Sequence, residues 1–188
     1  MKIKLFGLSL IIMSCSFLGC EKDNNLLKAD EKFVPKNVLV KVKGYYTIDR
    51  VFDFINSFDH KVENIHSQVY TSDLPSDSLQ YVLDYLNAKT YTNDGNSWFV
   101  NGYLHYQTKE ITIFPRLFDM NNTTHQIDWL ESMKILKLKE DTTSETAGCI
   151  ILFNVPEGHE KEWVKKFEAY YFVEWAELNY LVEINPWP

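Results

Sequence analysis

Histidine and acidic side chains are the first candidates for chemistry in this sequence. His159-Glu160 begins the H-E-x-x-H pattern, in which two histidines one helical turn apart bind zinc. The second histidine would stand where the sequence has Trp163, so the pattern is incomplete. The other four histidines have no ligand spacing: His60, His66, His105 and His125. The sequence therefore predicts no metal site.

Motifs for nucleophilic or nucleotide chemistry are also missing. There is no G-x-S-x-G nucleophile elbow, and the seven glycines form neither a phosphate loop nor a dinucleotide fingerprint. A glycosidase needs two acids about 5–10 Å apart, but with 26 acidic residues the spacing alone cannot single out a pair. A net charge of −7 argues against a nucleic-acid partner, because phosphate binding needs clustered Lys and Arg and the sequence has no such cluster. We therefore expect no enzyme, no cofactor and no nucleic-acid partner.

The N-terminus has the organisation of a signal peptide. Lys2 and Lys4 precede an apolar run over residues 5–13, which is shorter than the ~20 residues that span a bilayer. The segment 17–20 (FLGC) resembles the lipobox of bacterial lipoproteins. This resemblance implies that residues 1–19 are removed and that Cys20 carries acyl chains such as palmitate.

Lipidation at Cys20 would make the membrane a partner of the protein through its N-terminus. The segment 12–15 (IMSC) is a second match with a shorter apolar region, so Cys15 stays open as the lipidated residue. The acidic stretch 21–25 resembles the surface-export signal of lipoproteins from the Bacteroides group. We expect an outer-membrane lipoprotein, on either the periplasmic face or the cell surface.

The remaining chain divides by composition. Residues 20–36 are polar and charged and indicate a tether, and residues 37–188 are long enough for one α+β domain. Cys149 lies in an apolar run, which predicts a buried and inert thiol.

Periodicity predicts a strand–helix–strand unit at each end of the domain. The first has a strand over 38–43, a helix from an N-cap at Thr47 to Phe58, and a strand over 60–70. The second has a strand over 148–154, a turn at 156–158, a helix over 160–168, and one or two strands over 172–184.

The two units share their spacing. Trp163, Val164 and Phe167 align with Val51, Phe52 and Ile55 at one constant offset, and Ile150 and Leu152 align with Val38 and Val40 at the same offset. Two such units in one antiparallel sheet form a split βαβ, or ferredoxin-like, arrangement.

An insertion over about 73–146 separates the units, with the pattern of a helix, a hairpin and a second helix. The helices are predicted over 77–88 and 124–136, and residues 139–147 are predicted to form a polar loop. Four residues of the second helix are predicted to face inward: Ile127, Leu130, Met133 and Leu136.

The hairpin, with strands over 98–107 and 110–118, has one face suited to recognition. A period of two places Trp98, Val100, Leu104 and Tyr106 toward the core. The opposite face mixes aromatic and hydrogen-bonding side chains, a composition typical of binding surfaces. Its candidate contacts to a peptide or glycan are Phe99, Tyr103, His105, Phe114 and Arg116. In the alternative, a helix of the insertion covers this face.

The segment 173–180 (VEWAELNY) resembles the last strand of subtilisin-type protease propeptides, and 38–43 resembles their first strand. Leu178 and Trp175 depart from the Pro and Tyr that the family prefers, and the insertion is foreign to it. The resemblance implies a ferredoxin-like fold and a role as protease inhibitor or folding chaperone. Its inserting tail would include Leu181, Val182, Glu183 and Ile184.

Three functional hypotheses remain open at this point. The first is a non-enzymatic binding module on the envelope, for a peptide, glycan or protein partner. The second is a stand-alone inhibitor of the propeptide type. The third is a structural envelope protein without a ligand, which predicts no exposed aromatic cluster.

Overall fold

The computed structural model describes residues 32–181 of the 188-residue chain. Within that range, four α-helices and two antiparallel β-sheets make the fold a mixed α+β fold. The strands are β1 (Phe33–Lys43), β2 (Lys61–His66), β3 (Tyr70–Ser72), β4 (Asn101–Leu104), β5 (Ile111–Phe114), β6 (Leu117–Phe118), β7 (Leu138–Glu140), β8 (Gly148–Asn154) and β9 (Val173–Tyr180). The helices are α1 (Ile48–Asn56), α2 (Leu79–Asn87), α3 (Thr123–Ile135) and α4 (Glu160–Glu168).

The larger sheet has five strands in the order β6-β2-β8-β1-β9. β1 pairs with β8 on one side and β9 on the other, so that Val40 lies opposite both Ile151 and Ala176. The units β1-α1-β2 and β8-α4-β9 interleave in this sheet, because β8 lies between β1 and β2 while β1 lies between β8 and β9.

One face of the five-stranded sheet packs against α1 and α4. Phe153 of β8 meets Phe54 of α1 edge-on at 5.9 Å between ring centroids and stacks on Phe167 of α4 at 4.6 Å. The alternate residues of the neighbouring strand, Val38 and Val40, are fully buried on the same face. Each such side chain contributes about 1.5–3 kcal/mol through the apolar area it removes from water.

The strand part of the internal repeat is shifted by one residue from the predicted alignment. Val38 and Val40 lie on the helix-covered face, whereas Ile150 and Leu152 lie on the opposite face and are half-buried. A shift of one residue moves every strand side chain to the other face. On β8, the residues that face the helices, as Val38 and Val40 do on β1, are therefore the direct sequence neighbours of Ile150 and Leu152.

The smaller sheet has four strands in the order β4-β5-β3-β7. Tyr70 and Ile113 lie opposite each other and are fully buried. Trp129 of α3 packs edge-on against Tyr70, with 5.5 Å between ring centroids. Val82 and Leu86 of α2 join the same core. Both helices of the insertion therefore pack against this sheet.

Two chain segments pass from one sheet into the other. β2 continues into β3 through 67–69, and β5 continues into β6 through Pro115-Arg116. The prediction of one strand over 60–70 is therefore wrong: Ser67 has a φ of 66°, a left-handed conformation that breaks a strand. Pro115, which cannot donate to a strand ladder, lies at the second crossing, between two strands.

Three of the four residues of α3 and its end that were predicted to face inward do so: Leu136 is buried, and Leu130 and Met133 pack partly buried against the core. The fourth differs from its prediction. Ile127 is 58% exposed, whereas Gln126 and Trp129 are buried. Gln126 exchanges two side-chain hydrogen bonds with Asn56 of α1, at 3.0 and 2.9 Å. The contacts of Trp129 and Gln126 orient the helix, and they turn Ile127 outward.

Several strands begin or end at residues other than those predicted. β1 begins at Phe33, which pairs with Tyr180, so this strand starts within the segment expected to be a tether. Part of the expected polar loop 139–147 forms β7. The strands of the hairpin are shorter than predicted, and Tyr106 is exposed because it lies in the turn after β4 instead of facing the core.

Candidate binding surface

Two aromatic rings lie on the face of β4 and β5 that the helices leave open. Tyr103 and Phe114 stack with 5.8 Å between ring centroids and 27° between ring planes. We call them the aromatic pair. They are diagonal neighbours, since Tyr103 lies opposite Thr112 and Phe114 opposite Asn101. Tyr103 is 48% exposed. Because α2 and α3 pack on the other face, the alternative of a covering helix is wrong.

The structure brings three of the five predicted contact residues together. The aromatic pair is continuous with Arg116, since Phe114 and Arg116 line one pocket. Phe99 is 63% exposed and precedes β4. His105 belongs to the turn: its backbone N–H donates to the Glu110 carbonyl at 2.8 Å, and its Nδ1 accepts from the Thr108 N–H at 3.2 Å.

The pocket beside the aromatic pair lies where the chain crosses between the two sheets. Its volume is about 220 Å³, and we call it the junction pocket. Its lining includes His66, Gln68, Trp98, Phe114, Pro115 and Arg116. Sequence reasoning missed His66 and Gln68 and placed Trp98 toward the core. Trp98 lies in the loop before β4, where strand alternation does not apply.

Positive charge dominates this pocket. The Arg116 guanidinium lies over the Trp98 ring, 4.3 Å from the centroid. Lys41 of β1, almost entirely buried, donates from Nζ to the Thr146 carbonyl at 3.2 Å. Burial, then Arg116 and Lys41, lower the pKa of His66 to about 4. His66 is therefore neutral at pH 7.

Three buried polar atoms of the junction pocket have no hydrogen-bond partner within residues 32–181. They are Oε1 of Gln68, Nε1 of Trp98 and Nε of Arg116. Buried polar atoms are hydrogen-bonded in the great majority of cases, so three in one small pocket is an uncommon concentration.

A larger groove lies elsewhere, between the start of α1, the end of α3 and β7. Its volume is about 780 Å³, and its apolar lining is Ile48, Leu130, Met133 and Leu138. Glu140 also lines it, and its carboxylate accepts the Ile48 backbone N–H at 3.1 and 3.0 Å. Sequence reasoning missed Glu140 because the hydrogen bond joins residues far apart in the chain.

The incomplete zinc pattern has a structural role at the start of α4. His159 occupies the N-cap position, and its Nδ1 lies 3.1 Å from Oε2 of Glu162. Over the part of the chain that the structure describes, no group of three or more His, Cys, Asp or Glu side chains is placed to hold a metal ion.

The cysteines and the C-terminal tail are only partly described. Cys149 is buried on β8, as predicted, and burial raises the pKa of its thiol to about 12. The backbone N–H of Leu181 donates to the Lys32 carbonyl at 2.8 Å. Outside the described residues lie Cys15, Cys20, Val182, Glu183 and Ile184.

Comparisons with protein-family models, with curated proteins and with solved structures give no match for this chain. Among residues 32–181, no helix has both the length and the apolar character needed to cross a membrane.

Proposed function

We propose that this protein is a lipid-anchored lipoprotein of the cell envelope whose folded part is a non-enzymatic binding module. Its partner is a peptide, a glycan or another envelope protein. The observation that carries the proposal is the aromatic pair on an open sheet face. Large, rigid aromatic side chains with polar neighbours provide most of the energy at binding surfaces.

The proposed anchor is supported by the sequence of the N-terminus. The lipobox-like segment ending at Cys20 supports attachment to the outer membrane, on the periplasmic face or at the cell surface. Two or more acyl chains hold a protein stably on a membrane, whereas one chain holds it only marginally.

The proposed binding contacts combine two kinds of interaction. Tyr103 and Phe114 offer flat apolar surface, and Arg116 adds a planar group with several hydrogen-bond donors. Truncation of such central residues typically weakens binding by at least about 2 kcal/mol each. We include Phe99 and His105 as outer contacts, because both are exposed near the ends of β4.

Crosslinking of the tagged lipoprotein in its native membrane, followed by mass spectrometry, tests this proposal. We expect the wild-type protein to capture a partner that the Tyr103→Ala/Arg116→Ala double variant fails to capture. Tyr81→Ala is the control, because Tyr81 is an equally exposed tyrosine on α2. Equal capture by the double variant and the wild type would show that this surface is not the binding site.

The strand order favours a second candidate. We propose that β1-α1-β2 and β8-α4-β9 form a ferredoxin-like core, which the interleaved order β2-β8-β1-β9 supports. This order, together with the propeptide-like segment on β9, favours a stand-alone protease inhibitor or folding chaperone. The C-terminal tail, beginning at Leu181, would then enter the cleft of a subtilisin-like protease.

An inhibition assay separates the two candidates. In the inhibitor case, removal of residues 181–188 abolishes inhibition of a purified subtilisin-like protease, while the Tyr103→Ala/Arg116→Ala variant still inhibits. In the binding-module case, the deletion leaves partner capture intact. A wild-type protein that inhibits no such protease would contradict the second candidate.

A further inference from the structure

We propose that the junction pocket binds the carboxylate of a ligand and that Arg116 is its principal partner. This inference deepens the proposed binding function, on which it rests, by naming the chemical group that the surface recognises.

Arg116 is held by stacking, not by an ion pair. Its guanidinium lies over the Trp98 ring at 4.3 Å, and within residues 32–181 no hydrogen bond or ion pair engages it. A guanidinium placed over a ring in this way keeps the N–H groups of its two terminal nitrogens available, although the Nε of Arg116 is buried. Those groups match the two oxygens of a carboxylate in a bidentate pair.

The surroundings favour an anion. None of the residues that line the junction pocket is acidic, although the whole chain has a net charge of −7. Lys41 and Arg116 both lower the pKa of His66, which shows that their positive fields overlap at that ring. A carboxylate placed beside Arg116 therefore meets one cation and a neutral imidazole in the pocket lining, with Lys41 adding positive potential at His66 from outside the lining.

Two of the three unpartnered atoms of the junction pocket are donors and point to the same chemistry, while the third, Gln68 Oε1, is an acceptor. Among the described residues, Trp98 Nε1 and Arg116 Nε are donors without an acceptor, and both belong to side chains that line the junction pocket. A buried donor without an acceptor costs about 1–3 kcal/mol. A ligand rich in acceptor oxygens recovers part of that energy when small movements of these side chains bring the donors into reach.

The size of the pocket limits the size of the ligand that contains the carboxylate. A volume of about 220 Å³ holds a carboxylate together with a small ring or a short side chain, next to the apolar surface of Phe114 and Pro115. A sugar acid and the C-terminal residue of a peptide both have this form. The shared chemistry is the carboxylate, and the probes below distinguish the two sources.

The test uses the full-length lipoprotein in detergent and isothermal titration calorimetry. Glucuronate is compared with glucose, and N-acetyl-phenylalanine with its amide, so that each pair differs in the carboxylate. We expect at least one acid to bind at millimolar concentration and its neutral partner not to bind. The acid that binds identifies the source. Failure of both acids, or equal binding of a neutral partner, would overturn the proposal.

Variants assign the binding to Arg116. Arg116→Gln should weaken binding at least about tenfold because it removes the charged donors. Arg116→Lys should also weaken it, because an ammonium group cannot form the planar pair, and this variant decides the matter if Arg116→Gln does not fold. The matched control is Arg50→Gln, which removes the other arginine of the chain, exposed on α1. Unchanged affinity in both Arg116 variants would also overturn the proposal.

Tyr103→Ala separates this inference from the proposed function. Tyr103 does not line the junction pocket, so the variant should keep carboxylate affinity while losing capture of the macromolecular partner. Capture that depends on Tyr103 without any carboxylate binding would overturn only the carboxylate inference. If the carboxylate binds but Tyr103→Ala captures the partner as well as the wild type does, the aromatic pair is not the binding surface and the carboxylate site remains supported.

Discussion

At the scale of single residues, Glu140 joins two distant parts of the chain. Thr47 stands at the N-cap position of α1, but its hydroxyl donates to Asp49 and does not cap the helix. Glu140 on β7 accepts the Ile48 N–H instead. Burial raises the pKa of Glu140 to about 7, with a further increase from Asp49, although the hydrogen bond from Ile48 opposes both. This carboxylate therefore titrates near neutral pH.

The raised pKa predicts a pH-dependent stability. The pKa of Glu140 is about 7 in the folded chain against an ordinary 4.5, so the folded chain binds more protons between these values. The contribution of Glu140 to the free energy of unfolding must then fall as the pH rises through this window. Relative to wild type, Glu140→Gln should gain up to about 3 kcal/mol between pH 5 and pH 8. Urea unfolding at the two pH values measures the difference.

The comparison with a variant is needed because His66 acts in the opposite direction. Its pKa is lowered from 6.5 to about 4, so its contribution to stability rises with pH over that range. This contribution is common to wild type and Glu140→Gln, and it cancels in their difference. Glu145→Gln, in the exposed loop after β7, is the control and should follow the wild type. Parallel curves for wild type and Glu140→Gln would refute the assignment.

Cys149 gives a second prediction at this scale. Its thiol is buried on β8, and its pKa is raised to about 12, so very little reactive thiolate forms at pH 8. In a Cys15→Ser/Cys20→Ser variant, in which Cys149 is the sole thiol, Ellman's reagent should react only as fast as the protein unfolds. Rapid labelling without denaturant, at the rate of the urea-unfolded chain, would contradict the buried position.

At the scale of elements, local patterns predicted most of the core units. The bounds of β8 and α4 were predicted to the residue, since each is a short periodic segment ended by a turn. The break between β2 and β3 escaped prediction, because the left-handed Ser67 serves a crossing between sheets. The sequence did not predict the junction pocket for the same reason, because its walls come from chain segments that meet only through those crossings.

The orientation of α3 yields a prediction for this element. Trp129 is fully buried against Tyr70, whereas Ile127 is mostly exposed. Trp129→Ala should therefore destabilise the protein by about 3–5 kcal/mol, and Ile127→Ala should change stability by no more than about 0.5 kcal/mol. Urea unfolding of the two variants compares them directly. A larger loss in Ile127→Ala than in Trp129→Ala would restore the orientation that the sequence pattern predicted.

At the scale of the whole molecule, the proposed binding surfaces occupy different sheets. The aromatic pair lies on the four-stranded sheet, and the proposed inhibitor tail follows β9 at an edge of the five-stranded sheet. Variants in one surface should therefore leave the other intact, since well-separated sites act independently. β9 is placed by pairing with β1 over a long sequence distance, whereas the aromatic pair lies on the local pairing of β4 with β5. Which face of that hairpin the helices cover depends on packing between distant parts of the chain, so the sequence alone left the choice between the two surfaces open.

The proposed membrane anchor gives the last prediction. Each buried methylene of an acyl chain contributes about 0.8 kcal/mol, so a doubly or triply acylated cysteine holds the protein on the membrane. Cys20→Ser should release the protein into the soluble fraction, whereas Cys15→Ser should leave it membrane-bound. Fractionation and mass spectrometry of the mature N-terminus measure both. Release by Cys15→Ser alone would move the anchor to Cys15, and membrane retention of the Cys15→Ser/Cys20→Ser variant would refute lipid anchoring. Partner capture by the released protein would show that the binding surface works independently of the membrane.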